Sequence, residues 1–382
     1  MRPLAITGLG VCSPLGIGWE AFREGLSAPP GGAFTTTPTS FTAAPHPGLR
    51  VAEINNFDPK PIVGDKGLRN NDRLTRLLLV AARLGLEHAG IKRDGAFTAL
   101  GPTEVGVCAS TAYGSLEAIH ELDSVARLED PRYLNPARFP NTVINASIGY
   151  VSIWEELRAL NATVTNGPTG ALDAFDAASL WIGAGRAKAV LTGGAEAMSE
   201  GLWQAFRRLG ALDEQPEGWA PGGPVSRGLR LGEGACLSVV EDLAAAKARG
   251  AKVYAEVVGY GAAFEPAEAD KPMVHVSAAA LSRAVRSALE GLDRSAVAMV
   301  VSGLSGLAVT DGPERAAIAE SLGGVGVRTP KAWCGETLGA GGAFGVAAAI
   351  DWLADERAGA CAVVTSVGFY GNASALVIRR PE

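Results

Sequence analysis

The sequence predicts an α/β chain of two related halves that stack into a layered α-β-α-β-α core, and three observations lead there. The first is internal repetition. TGALDAFDAASLWIGAGRAKAVLTGG (169–194) and GGAFGVAAAIDWLADERAGACAVVTSVG (341–368) each run from a Gly-rich start through an Ala-rich helix with a Trp near its end, then a basic turn and an apolar strand ending on small residues. The second is a weaker echo between PLAITGLGVCSPLG near the start and AMVVSGLSGLAVTDG (298–312), each an apolar strand running into glycines. The third is that these strands are continuously apolar rather than alternating, as in sheets covered by helices on both faces. Composition alone, in a chain with 49 glycines, is the competing explanation of the echo. The two halves divide at 1–245, carrying cap and dimer insertions, and 246–382.

In chain order, the opening run LAITGLGVC reads as a buried strand. GLRNNDRLTRLLLVAARLGLEHAG follows as an amphipathic helix whose Leu74, Leu77, Leu78 and Ala81 face the core. If it begins early enough, Arg69, Arg73 and Arg76 share its other face, with Lys66 just before. NATVTN (161–166) is a short β-branched strand that breaks at Asn166-Gly167 and restarts as a helix with Pro168 as its first residue. GEGAC is turn chemistry before a strand, with Glu233 as a structural carboxylate. Trp181 and Trp352, matched in the echo, are expected in the core.

At 382 residues, 47% hydrophobic and 19% charged, the chain has enough apolar sequence for a large core. A net charge of −6 and no block of like charges speak against nucleic acid as a partner. Five scattered cysteines and four histidines form neither a CxxC nor an HExxH pattern, so no metal, cofactor or disulfide framework is expected. The first residues are too briefly apolar for a signal peptide and no run of 18 apolar residues occurs, which predicts a cytoplasmic protein with no membrane partner.

TGLGVCSPLG, PNTVINASIG (140–149), LTGGAEAMSEGLWQAFRRLGAL (191–212), GEGACLSVVED (232–242), PKAWCGETLGAGGAFG (330–345) and SVGFYGNASALVIRR (366–380) resemble, in that order, the landmarks of β-ketoacyl synthases of the thiolase fold. The resemblance spans nearly the whole chain and implies two βαβαβαββ-type halves. It also implies a cysteine nucleophile at the start of the helix after TVTNG, where this chain has Pro168. Proline supplies neither thiol nor N–H, so the acyl acceptor and one of two oxyanion donors are both missing. The other donor would be the N–H of Phe369.

The two histidines that the family uses on the malonyl thioester fall on Ser302 or Gly303, and on Glu336. Lys331 matches the family lysine, but the glutamate expected to pair with it is Gly345, which puts that ion pair in doubt. Cys334 is the nearest thiol in the chain and reads as buried filler. The resemblance therefore implies a catalytically silent subunit, similar to the chain-length factor of type II polyketide synthases. Such a subunit pairs with an active ketosynthase as a heterodimer and shapes a shared acyl-chain tunnel, with Asn161, Thr163, Thr165 and Asn166 at the interface. Lys66, Arg69, Arg73 and Arg76 fall where the family meets acyl carrier protein. The rival expectation is altered chemistry, acyl transfer or hydrolysis, from Ser302 or Glu336 in the vestigial cavity, although no histidine adjoins either motif.

Overall fold

The computed structural model describes residues 2–41, 46, 48–215, 217–267 and 274–382. The apolar runs form a strand path with β1 (Leu4–Ser13), β2 (Val105–Ser110), β3 (Asn161–Val164), β4 (Ala189–Glu196) and β5 (Gly234–Asp242) from the first half. The second half gives β6 (Ala255–Phe264), β7 (Val297–Val301), β8 (Gly326–Arg328), β9 (Cys361–Val367) and β10 (Asn372–Arg379). Side by side they run β8-β7-β9-β10-β6-β1-β5-β4-β2-β3. Outward from the β1–β6 junction, both halves use the same order: first, fifth, fourth, second and third strand. The pairings match as well, two antiparallel and then two parallel in each half.

The strong echo is thus a repeat of topology, but the weaker one is corrected. β7 stands second in its half, so its counterpart is β2 and not β1. An apolar strand ending in glycine is too common a pattern to say which strand it matches.

Helices α1 (Arg73–His88), α2 (Leu116–Leu128), α3 (Ala146–Trp154), α4 (Gly170–Gly183), α5 (Glu200–Arg208), α6 (Ala278–Ala288), α7 (Ala308–Leu322) and α8 (Gly341–Leu353) complete the layers. α4 and α8 pack against each other between the two halves of this strand path, and α8 is buried nearly all round, as a central helix must be. α1 covers the outer face of β1, β5 and β4; α6, backed by α7, covers β6, β10 and β9. The α-β-α-β-α order is the expected one. At the closest approach of α1 to β1, a Cβ on Gly10 would overlap the Ala81 carbonyl oxygen, so only glycine lets helix and sheet meet there.

α1 begins later than its arginines suggest. Asp72 caps it by accepting from the Thr75 N–H (2.8 Å), and Arg69 lies in a separate 3-10 turn, Leu68–Asn70. Arg69 therefore does not share a helical face with Arg73 and Arg76. Leu74, Leu77, Leu78 and Ala81 are buried as predicted. Trp181 is not in the core: it is exposed on α4, while Trp352 is half-buried against Trp333 with Arg328 over its ring. Among the described residues no helix is long and apolar enough to cross a membrane. No group of three or more His, Cys, Asp or Glu among them could hold a metal ion.

His88, at the end of α1, ties this helix to the sheet. Its Nδ1 accepts from the Leu9 N–H (3.0 Å) and its Nε2 meets the Tyr254 hydroxyl (2.6 Å), so the neutral ring is the one that fits. Burial, with Lys252 nearby, lowers its pKa below the ordinary 6.5. A lowered folded-state pKa means that the unfolded chain takes up the proton first. This contribution is complete above about pH 6.5 and is lost as pH falls through the lowered value. Thermal melts from pH 8 to 5 should show His88→Gln losing less stability on acidification than the unmodified chain; parallel curves would refute the assignment.

Candidate functional site

β3 ends at Val164 and the chain passes through Asn166 and Gly167 into a 3-10 turn, Gly167–Thr169, that feeds α4. Pro168 is buried within that turn, two residues before the first residue of α4 rather than being that residue. Its fixed φ suits the position, and its missing N–H would have had no helical partner. The Pro168 carbonyl accepts from Ser366 Oγ (2.8 Å) at the end of β9. Asn372 Nδ2 reaches Asn166 O (3.0 Å) and Thr169 Oγ1 (2.8 Å). The turn between β9 and β10 that carries Phe369 is thereby fixed beside the start of α4. Phe369 itself is half-buried next to Phe206 (ring centroids 6.5 Å apart), in the cluster that also takes in Tyr113 and Leu338.

A second group lies where β7 and the start of α8 meet. Lys331 Nζ donates to Glu336 Oε2 and to Gly303 O, both at 2.6 Å, and Glu336 Oε1 accepts from the Leu338 N–H (2.8 Å). The doubt about the lysine's ion pair is answered: Gly345 offers no carboxylate, and Glu336 takes that part from five residues away. Both oxygens of Glu336 are engaged.

Gly303 N–H donates to Glu314 Oε1 (2.7 Å), which also accepts from Thr365 Oγ1 (2.6 Å). Burial pushes the Glu314 pKa up, and its other oxygen has no partner among the described residues. The adjacent residues Thr365 and Ser366 thus link the Gly303 group to Pro168. Ser302 points elsewhere. Its hydroxyl donates to Arg328 O (3.3 Å) and it lines a separate cavity of about 380 Å³ with Arg315 and Thr329, so of the two candidate positions only Gly303 joins the lysine cluster.

No thiol substitutes for the one missing at residue 168. All five cysteines are buried, and burial raises every thiol pKa, to about 11 for Cys108 and about 12 for Cys334. A buried carboxylate that sequence reasoning missed, Glu196, closes the site from the first half. It accepts from Ala112 N (2.7 Å), Tyr113 N (3.2 Å), Thr111 Oγ1 (3.2 Å) and Gly339 N (3.1 Å), and burial pushes its pKa up to about 7. His275 was missed too. Folding sets its N–H on Phe369 O (2.8 Å), but among the described residues no hydroxyl or thiol is hydrogen-bonded to its ring.

Two of the four cations assigned to carrier docking are not free to dock. Arg73 is clamped by Glu233, with Nε to Oε2 at 2.8 Å and Nη2 to Oε1 at 2.5 Å, and also donates to Ile54 O. Arg76 is drawn inward onto Leu68 O (3.1 Å). Lys66 and Arg69 remain exposed. At the far end of the path β3 has, among the described residues, a neighbour on one side only; Asn161 Nδ2 donates to Ile148 O (3.0 Å), and just past the strand Asn166 Nδ2 donates to Asp173 Oδ2 (2.8 Å). Thr163 Oγ1 is buried without a partner among the described residues, and Thr165 is exposed.

Residues 1–246 match the family model of the β-ketoacyl synthase N-terminal domain. The 3-oxoacyl-acyl-carrier-protein synthase 2 of Coxiella burnetii is 31% identical over 272 residues, 68% of this chain but only 63% of that relative. The synthase of the same name from Vibrio cholerae is 29% identical over 93% of this chain and 87% of its own length. Among solved structures, the ishigamide ketosynthase/chain length factor superposes over 100% of both chains with a TM-score of 0.86 at 25% identity. The repeated five-strand halves, the paired central helices and these matches agree: the chain belongs to the β-ketoacyl synthase family.

Proposed function

We propose that this chain is a non-catalytic ketosynthase-type subunit, of the chain-length-factor kind, which pairs with an active ketosynthase and shapes the tunnel that holds the growing acyl chain. The observation that carries this reading is Pro168. It occupies the turn before the central helix, where a nucleophile would sit among free N–H groups, and it brings neither thiol nor N–H. The surroundings support it. Gly303 has no side chain to offer a thioester carbonyl, and Glu336 is held by Lys331 and the Leu338 N–H.

The likeness to a ketosynthase/chain length factor suits the reading, while the curated relatives carry the names of synthases. The active partner supplies the missing cysteine and histidines. Acyl carrier protein delivers to the pair, with Lys66 and Arg69 as the exposed cations on this chain's side. Altered chemistry from Ser302 or Glu336 has less support, since neither is hydrogen-bonded to a histidine and Ser302 faces a different cavity.

The direct test is acyl loading. Incubated alone with a radiolabelled acyl-carrier thioester, the purified chain should retain no covalent label after denaturation, whereas an intact ketosynthase in the same assay should label stoichiometrically. Stable label that maps to any side chain of this protein would overturn the reading.

A further inference from the structure

A cavity of about 320 Å³ lies between the helix Trp19–Ser27, the end of α8 and the place where β6 begins and β10 ends. Trp19, Tyr254, Ile350 and Leu353 contribute apolar walls, and three cations, Arg23, Lys252 and Arg380, line it as well. Strand register explains how Arg380 comes to be there. Arg379 stands opposite Glu256 and bonds to it (Nε to Oε2, 2.9 Å), so the next side chain leaves β10 from the other face, the one on which Leu376 and Ile378 pack in the same cluster as Ile350 and Leu353. The Arg380 main chain is fixed on both sides, its N–H on Ala360 O (2.8 Å) and its carbonyl accepting from the Gly359 N–H (3.2 Å). On the facing wall the Tyr254 N–H donates to Ile6 O (2.9 Å), and the Lys252 ammonium lies 4.4 Å from the centre of the Tyr254 ring.

The three cations are not equally engaged. Arg23 bonds to Asp351 (2.7 Å) and to Glu20 (3.1 Å), the two carboxylates that line the cavity. Lys252 and Arg380 have no such partner: among the described residues neither side chain makes an ion pair or a hydrogen bond, and Glu382, two residues beyond Arg380, pairs with neither. Two uncompensated positive charges beside apolar walls complement a dianion that carries an organic group. A phosphate monoester holds about −1.5 to −2 charges at pH 7, roughly one for each cation, whereas a carboxylate would leave one of them unmatched. The guanidinium fork also suits phosphate oxygens, and the volume is at the lower end of the roughly 300 to 1,000 Å³ of small-molecule sites.

We infer that this cavity binds a small organic phosphate, with the phosphate between Lys252 and Arg380 and the organic part against Trp19, Ile350 and Leu353. None of the lining residues belongs to the Pro168 or Lys331 groups, so the site is a separate one and does not depend on the silent-subunit reading.

The test is calorimetric titration of the purified chain in phosphate-free buffer at about 0.15 M salt, where long-range surface attraction is screened. AMP should bind one to one with a Kd of about 1 mM or tighter, adenosine should not bind at the same concentrations, and inorganic phosphate should bind more weakly than AMP. Lys252→Met and Arg380→Met should each weaken AMP about tenfold or more, as loss of a charge-assisted contact does. Lys252→Arg, which keeps the charge, should bind nearly as well as the native chain, so a loss in Lys252→Met is not a folding defect. Arg93→Met makes the same change in net charge at an exposed residue elsewhere and should bind AMP unchanged. Adenosine binding as tightly as AMP, or AMP binding that both methionine variants leave intact or that Arg93→Met lowers equally, would overturn the inference. So would the failure of both AMP and the smaller ribose 5-phosphate to bind.

Discussion

Glu233→Ala should cost about 3 to 5 kcal/mol of stability, the loss expected when one member of a buried ion pair is removed and the other is left behind. The Glu233 carboxylate is fully buried and accepts from Arg73 twice, from Ile54 N (2.8 Å) and from Met198 N (2.9 Å). Alanine would leave the Arg73 guanidinium with Ile54 O and Glu53, whose carboxylate lies 3.8 Å away and already accepts from Thr39 and Ser40. Because domains are stable by only about 5 to 15 kcal/mol in total, the variant should unfold at a much lower urea concentration. Arg73→Met combined with Glu233→Ala should recover part of the loss, since it removes the stranded charge. A midpoint shift worth less than about 1 kcal/mol for Glu233→Ala would show that the clamp is peripheral to stability.

This clamp also shows what could and could not be read from the sequence. Whatever depends on neighbours along the chain was legible: the unbroken apolar strands, the leucine face of α1, the Ala-rich central helices, and the turn that Asn166-Gly167-Pro168 makes before α4. The strong echo predicted a repeated half because the matched segments are whole supersecondary units, helix plus strand. The weak echo misled because a strand and two glycines carry too little information to identify a place in a sheet.

The ion pairs were hidden for a different reason. Arg73 and Glu233 are 160 residues apart, and nothing local distinguishes a surface arginine from one that folding draws onto a buried carboxylate. Arg73 and Arg76 therefore looked like docking cations. Glu336 looked like a charge aimed into an empty site, although Lys331 was only five residues away. Glu196, Glu314 and His275 sit in unremarkable sequence, and only the crossing of distant strands gives them their neighbours. The lone signal for Glu196 was an acidic residue inside an otherwise apolar strand, LTGGAE, which is a reason to expect buried donors around it.

Pro168→Cys should give this chain a reactive thiol without giving it condensing activity. At residue 168 a cysteine would stand in the turn that leads into α4, close to a helix N-terminus, where a thiolate is stabilised and pKa values near 7 or below are usual. Burial holds every native thiol up, Cys108 at about 11 and Cys334 at about 12. Near neutral pH the difference in thiolate fraction alone is on the order of a thousandfold or more. One equivalent of iodoacetamide should therefore modify the variant at a single site under conditions that leave the native chain untouched.

Condensation needs more than that thiol. Gly303 still offers no donor to the thioester carbonyl, and Glu336 still presents a carboxylate bound to Lys331 where a neutral donor is required. Adding Gly303→His and Glu336→His would not finish the repair, because Lys331 would then lose its carboxylate inside the protein. A glutamate at residue 345, where the resemblance expects one, would not fit without a shift, because a Cβ on Gly345 would press against the Val364 side chain. Alkylation rates and decarboxylative condensation, measured on Pro168→Cys and on the triple variant, separate the two claims. A single-site thiol with no condensation, and a triple variant that melts well below the native chain, are the expected results. Condensation above background from Pro168→Cys alone would show that the remaining groups of the cavity are still a working active site.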